Sequence, residues 1–138
     1  MYKYLTKAAS ILAFVIGAMA VFSGGQVLLG KIPDYYVIDW LPVYNFTIGV
    51  ITLFFTAVLI WKNSRFAFLA AVSTLTAHLV VMVILQTSYA NLVAIDSIRA
   101  MIIRITVWTV ILSLMLLQRW GTVKRQAAKT QMGSELSD

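Results

Sequence analysis

FAFLAAVSTLTAHLVVMVILQ, residues 66–86, holds no Asp, Glu, Lys or Arg, and His78 is its sole strongly polar ring. A helix needs roughly 20 apolar residues to cross ~30 Å of hydrocarbon at about 1.5 Å per residue. The stretch meets that length, and three others match it, at about 8–30, 41–61 and 100–117. None of the four holds a carboxylate; the fourth carries Arg104. The connections, residues 31–40, 62–65 and 87–99, are short, which makes sequential neighbours antiparallel. The pattern predicts an all-α integral membrane protein, a four-transmembrane-helix up-down bundle in one domain over residues 1–121. A polar tail follows over 122–138, read as a frayed helical extension of the fourth span. There is no internal repeat.

Composition supports this reading. Of 138 residues, 61% are apolar and 12% charged, against about 45–50% and 25% in soluble domains, and mean hydropathy is +0.88. Too little polar surface remains for a soluble enzyme, a nucleic-acid binder or a disordered linker. With no cysteine, disulfides, thiolate nucleophiles, Cys-ligated zinc and iron–sulfur clusters are excluded. One histidine rules out a bis-His haem within a single chain. No catalytic constellation or metal-ligand spacing is present. Without a carboxylate inside a span, a pump with a carboxylate proton relay is disfavoured, and no pair of Gly/Pro-broken helices suggests an inverted-repeat transporter.

The net charge of +6 reports orientation. Lys3, Lys7, Lys62, Arg65, Arg119, Lys124, Arg125 and Lys129 fall on one side, and only Lys31 and Arg99 on the other, where Asp34, Asp39 and Asp96 offset them. The positive-inside rule puts both termini in the cytoplasm of a cell with a plasma (inner) membrane. Aromatic residues mark each interface: Tyr35, Tyr36, Trp40, Tyr44 and Tyr89 outside, Tyr2, Tyr4, Trp61 and Trp120 inside. Lys3 and Lys7 with Ala18-Met19-Ala20 imitate a signal peptide, but apolar sequence continues to Leu29, so an uncleaved first helix is expected.

Inside a bilayer, close backbone approach and interhelical hydrogen bonds drive association. The first span offers Ala9, Ala13 and Gly17 at fours, with Gly25 further along, and Ala20 and Gly24 on a neighbouring face. The third offers Ala67 and Ala71, then Ala70, Thr74 and His78. These stripes are read as intramolecular packing faces, with a homodimer seam as the alternative. Leu53, Phe54, Leu59 and Ile60 suit lipid.

Polar residues inside the spans need reasons. Arg104 sits five residues past Arg99, ~7.5 Å in; it either snorkels outward or faces the interior, with Trp108 one turn deeper as a cation–π partner. His78 lies ~12 Å deep, counted from Gln86, either packed and bonded to a neighbouring hydroxyl or carbonyl, or in a ligand cavity. Gln26, Asn45 and Thr47 fall near the same level. Their convergence in the outer half suggests a cavity opening outward, with His78, Arg104, Gln26 and Asn45 at a head group and Tyr44 and Trp40 closing the mouth. Residues 31–42 form an apolar, aromatic loop, read as interfacial or as a lid. Asp39 is expected to cap the second helix, with Pro42 in its first turn. Asp34, Asp39 and Asp96 are candidate counter-ions for Arg99 and Arg104.

Gly24-Gly25, Tyr44-Asn45-Phe46-Thr47-Ile48-Gly49 and the four-span topology with a compact outer loop resemble the DoxX-like group of small bacterial membrane proteins. That group includes membrane subunits linked to quinone-coupled sulfur oxidation, and the resemblance implies no catalytic residue. Three functions fit the sequence. The first is a non-catalytic accessory subunit of a larger, energy-linked membrane complex, without a cofactor, with the lipid bilayer and other membrane subunits or copies of itself as partners and no nucleic acid. The second is a quinone- or lipid-binding membrane subunit. The third is a small oligomeric channel or transporter.

Overall fold

The computed structural model describes residues 2–31 and 33–135. They fold into helices α1 (Tyr2–Leu28), α2 (Leu41–Trp61), α3 (Ala67–Thr87) and α4 (Ile95–Glu135). All four are long and apolar enough to cross a membrane. Contacts run antiparallel. Gly24 meets Phe46 while Gly17 meets Thr52, and Ser10 near the start of α1 donates to the Ala57 carbonyl near the end of α2 at 2.7 Å. α1 lies between α2 and α4, and α4 between α1 and α3. The backbones of α2 and α3 come close only along residues 52–61 of α2.

Helix ends agree with the sequence reading in one place and differ in another. α4 extends past the span as a helix through Glu135. Residues 122–132 contain no Pro or Gly and are rich in Ala, Lys, Arg and Gln, and a helix already nucleated needs only propagation. Residues 136–138 of the expected tail lie outside the described residues. Asp39 does not cap α2. Trp40 is the N-cap, with no side-chain bond. The Leu41 N–H is taken by the Ile38 carbonyl at 2.9 Å, and Pro42 has no N–H to cap.

Buried residues follow a seven-residue rhythm rather than strict fours. On α3 they are Ala67, Ala71, Thr74, His78, Val81 and Leu85; on α4, Met101, Arg104, Trp108, Ile111 and Met115. Steps of four rotate about 40° each around a helix, whereas alternating three and four nearly cancels. Hence Ala9, Ala13 and Gly17 are buried as expected, but Gly25, about 80° beyond Gly17, is not where backbones meet. Gly24 is: a Cβ there would stand 2.6 Å from the Phe46 nitrogen and 2.7 Å from the Pro42 oxygen, while at Gly25 it would meet only the Phe46 ring at 3.6 Å. Gly49 faces the same seam, where a Cβ would stand 2.7 Å from the Val21 nitrogen. Ala70 is half-buried, with Ala71 beside it in the core; the Ala70 carbonyl accepts from Thr74 at 2.9 Å.

α2 contains a π turn at Thr52–Thr56. The extra residue of such a turn resets the phase of the helix after it. Ile60, expected at the lipid side, is fully buried, whereas Phe54 on the turn itself is 63% exposed. The core therefore has two apolar clusters. One, nearer the termini, joins Ala9, Ala13, Ala57, Ile60, Ala71, Trp108 and Ile111. The other, at the end formed by the α1–α2 and α3–α4 connections, joins Ile38, Leu41, Val81, Leu85 and Met101. Burial of Ile38 folds the first connection over the bundle. Between the clusters lies a polar layer.

Candidate polar site between the helices

Arg104 occupies the buried stripe of α4 between Met101 and Trp108 and is 7% exposed. Its Nη1 donates to Asn45 Oδ1 on α2, and Nη2 reaches Ser23 Oγ on α1 at 3.5 Å. One guanidinium thus ties three helices. Both partners are neutral. The ion pair of Arg99 with Asp96, at 3.5 Å, is exposed. Asp96 therefore serves Arg99 as expected, and neither Asp34, Asp39 nor Asp96 pairs with Arg104. Arg104 does not stack on Trp108 either. Trp108 is wholly buried in the apolar cluster, and its indole N–H has no hydrogen-bond partner.

His78, 2% exposed on α3, shares a hydrogen bond with the Tyr44 hydroxyl on α2 through Nδ1 at 2.8 Å. Their rings meet edge to face at 5.9 Å. Tyr44 in turn packs edge-on against Trp40 at 6.3 Å, and the Trp40 indole donates to the Tyr89 hydroxyl at 3.3 Å. This aromatic chain bridges α2 and α3 where their backbones diverge. It is a packing device: edge-to-face pairs contribute about 0.5–1.5 kcal/mol beyond burial.

A cavity of about 90 Å³ lies under the first connection, against α1, α2 and α4. Arg104, Asn45, Ser23, Ser97 and Asp96 give it polar walls, and Tyr35 and Val37 of the connection cover it. The residues singled out in the sequence thus divide. Arg104 and Asn45 line the cavity; His78, Tyr44 and Trp40 do not. Gln26 is half-buried, also off the cavity, and makes no side-chain hydrogen bond among the described residues. Thr47 is exposed. Both groups stand between the two apolar clusters, His78 between Thr74 and Val81 and Arg104 between Met101 and Trp108 on their buried stripes. Sequence reading missed Ser23 and Ser97, the first a hydroxyl beside Gly24 and three residues before Gln26.

The cavity wall thus carries a guanidinium, an amide, two serine hydroxyls and the Asp96 carboxylate. No three of His, Asp and Glu converge as metal ligands among the described residues. A second, apolar groove of about 330 Å³ runs between α1 and α2 beside the π turn, lined by Ile11, Phe14, Leu53, Phe54, Val58 and Trp61 among others. Lys7 lies over the Trp61 ring at 5.5 Å near its end. Compared with known proteins, the chain matches no family model, no curated protein and no solved structure.

Proposed function

We propose that this chain is a non-catalytic, multi-pass protein of the inner membrane, termini in the cytoplasm, that holds the polar head group of an amphiphile at Arg104 in the outer half of the bilayer. The observation that carries the reading is a buried guanidinium with only neutral partners at the wall of a cavity. An arginine costs about 2.5–3.5 kcal/mol at the centre of a span on insertion scales and less toward an interface, and leucine would fill the stripe without any such cost. An intramembrane charge of this kind calls for a partner, and a bound head group supplies one. Orientation rests on the eight-to-two division of Lys and Arg. The topological resemblance to the DoxX-like group is in keeping with an amphiphilic ligand. The test is binding of a quinone analogue and of a fatty acid to the full chain and to Arg104→Gln in lipid nanodiscs. If neither ligand distinguishes the two proteins, the proposal falls.

A second reading, an accessory subunit of a larger membrane complex, is favoured by the end of α4. After Gly121 every described side chain is exposed through Met132, an arm of about 16 Å at 1.5 Å per residue beyond the buried stripe of α4. Native electrophoresis in mild detergent tests it: a complex that forms with the full chain should be lost after removal of residues 122–138.

A further inference from the structure

We infer that the head group held at Arg104 is an oxyanion, a carboxylate or phosphate, rather than a neutral carbonyl such as that of a quinone. The inference rests on the amphiphile reading above and narrows it to a chemical class.

Donors dominate the wall. A guanidinium has five N–H groups, and two nitrogens of Arg104 reach one acceptor each. The Asn45 amide nitrogen and the Ser97 hydroxyl have no hydrogen-bond partner among the described residues, and both residues line the same cavity. A carboxylate accepts at two oxygens and takes a guanidinium bidentately. A quinone carbonyl presents a single oxygen and no charge. Among the cavity residues only Asp96 opposes an anion; its side chain is 60% exposed and paired with Arg99, so solvent and a cation screen it.

Charge points the same way. With Asn45 and Ser23 as its partners, Arg104 keeps a full positive charge in a low-dielectric layer, where Coulomb interactions are strongest. A neutral ligand leaves that charge uncompensated, and an anion removes it.

The full chain in phosphatidylcholine nanodiscs, titrated at alkaline pH with dodecanoate, methyl dodecanoate, a short-tailed quinone and inorganic phosphate, tests this. Dodecanoate should bind best, with methyl dodecanoate and the quinone at least about tenfold weaker, the factor a lost charged contact implies. Arg104→Gln should weaken dodecanoate binding by a similar factor, and Arg104→Lys, which keeps the charge, by less. Melting temperatures of each variant confirm that a folded bundle is compared. Equal affinity for the ester or the quinone would overturn the oxyanion and leave the amphiphile reading intact. Inorganic phosphate binding as tightly as dodecanoate would keep the oxyanion and remove the amphiphile. An Arg104→Gln protein that binds dodecanoate as the native chain does would overturn both.

Discussion

Asn45 on α2 accepts a hydrogen bond from Arg104 on α4, joining two helices that both pack against α1. The pair closes the polar layer that separates the two apolar clusters. Because the guanidinium is buried, removing its acceptor leaves an unpaired charge, while removing both partners leaves apolar surface. Asn45→Leu should therefore destabilise the bundle by about 1–3 kcal/mol. The double variant Asn45→Leu with Arg104→Leu should recover part of that loss. Unfolding in detergent, followed by circular dichroism, checks the order. A double variant less stable than Asn45→Leu would show that the bond matters for packing rather than for charge.

Gly24 and Gly25 are adjacent and chemically identical, yet a side chain at each meets different surroundings. At Gly24 a Cβ would press on the α2 backbone at 2.6 Å; at Gly25 it would touch a phenyl ring at 3.6 Å. Backbone has nowhere to move without separating the helices, so Gly24→Ala should cost about 1–3 kcal/mol, the usual range for overpacking. Gly25→Ala should stay within about 0.5 kcal/mol. The same detergent melts decide, and equal effects at the two positions would contradict the seam described for α1 and α2.

The span lengths of this fold were legible in the sequence because apolar length is a one-dimensional property. Residues 41–61 and 66–86 match α2 and α3 to within one residue. Rotational facing was less so. Stripes read at fours placed Gly25 at the contact, whereas real faces follow alternating threes and fours. The π turn at Thr52–Thr56 shifts every later face of α2, and nothing in the composition of TLFFT announces it. The site was legible as a set of residues at one depth, and Arg104, Asn45 and His78 do share the polar layer. Which of them line one cavity depended on the spread of α2 from α3, a matter of side-chain bulk across two helices. The loop's apolar character left an interfacial strip and a lid both open, and burial of Ile38 favours the lid.

Tyr44 and His78 bridge that spread with one hydrogen bond of 2.8 Å. Tyr44→Phe keeps the rings and removes the hydroxyl, leaving the His78 nitrogen without its partner. Interhelical hydrogen bonds in membranes contribute about 0.6 kcal/mol on average and up to ~1.7, so the loss of stability should fall in that interval. Neither residue lines the cavity. Amphiphile affinity should therefore change less than twofold in Tyr44→Phe, against roughly tenfold in Arg104→Gln. A tenfold loss in Tyr44→Phe would move the binding site to the aromatic chain.

The arm of α4 beyond Gly121 separates folding from association. Gly121 is the last buried residue among those whose burial is described, and Thr122 onward is exposed through Met132. Arg119, just before it, instead lies over the Phe68 ring at 4.4 Å and fastens the end of the bundle. Ending the chain after Gly121 removes no side chain that is buried among the described residues and keeps that contact, so stability should change by no more than a surface substitution changes it, about 0.5 kcal/mol. Arg119→Ala should destabilise the bundle by about 0.5–1 kcal/mol, the value of an exposed cation–π contact. A shortened chain that melts as the full one does, but no longer migrates in a complex, would assign the arm to a partner. A shortened chain that unfolds would instead make residues 122–135 part of the fold, held by contacts that their exposure does not reveal.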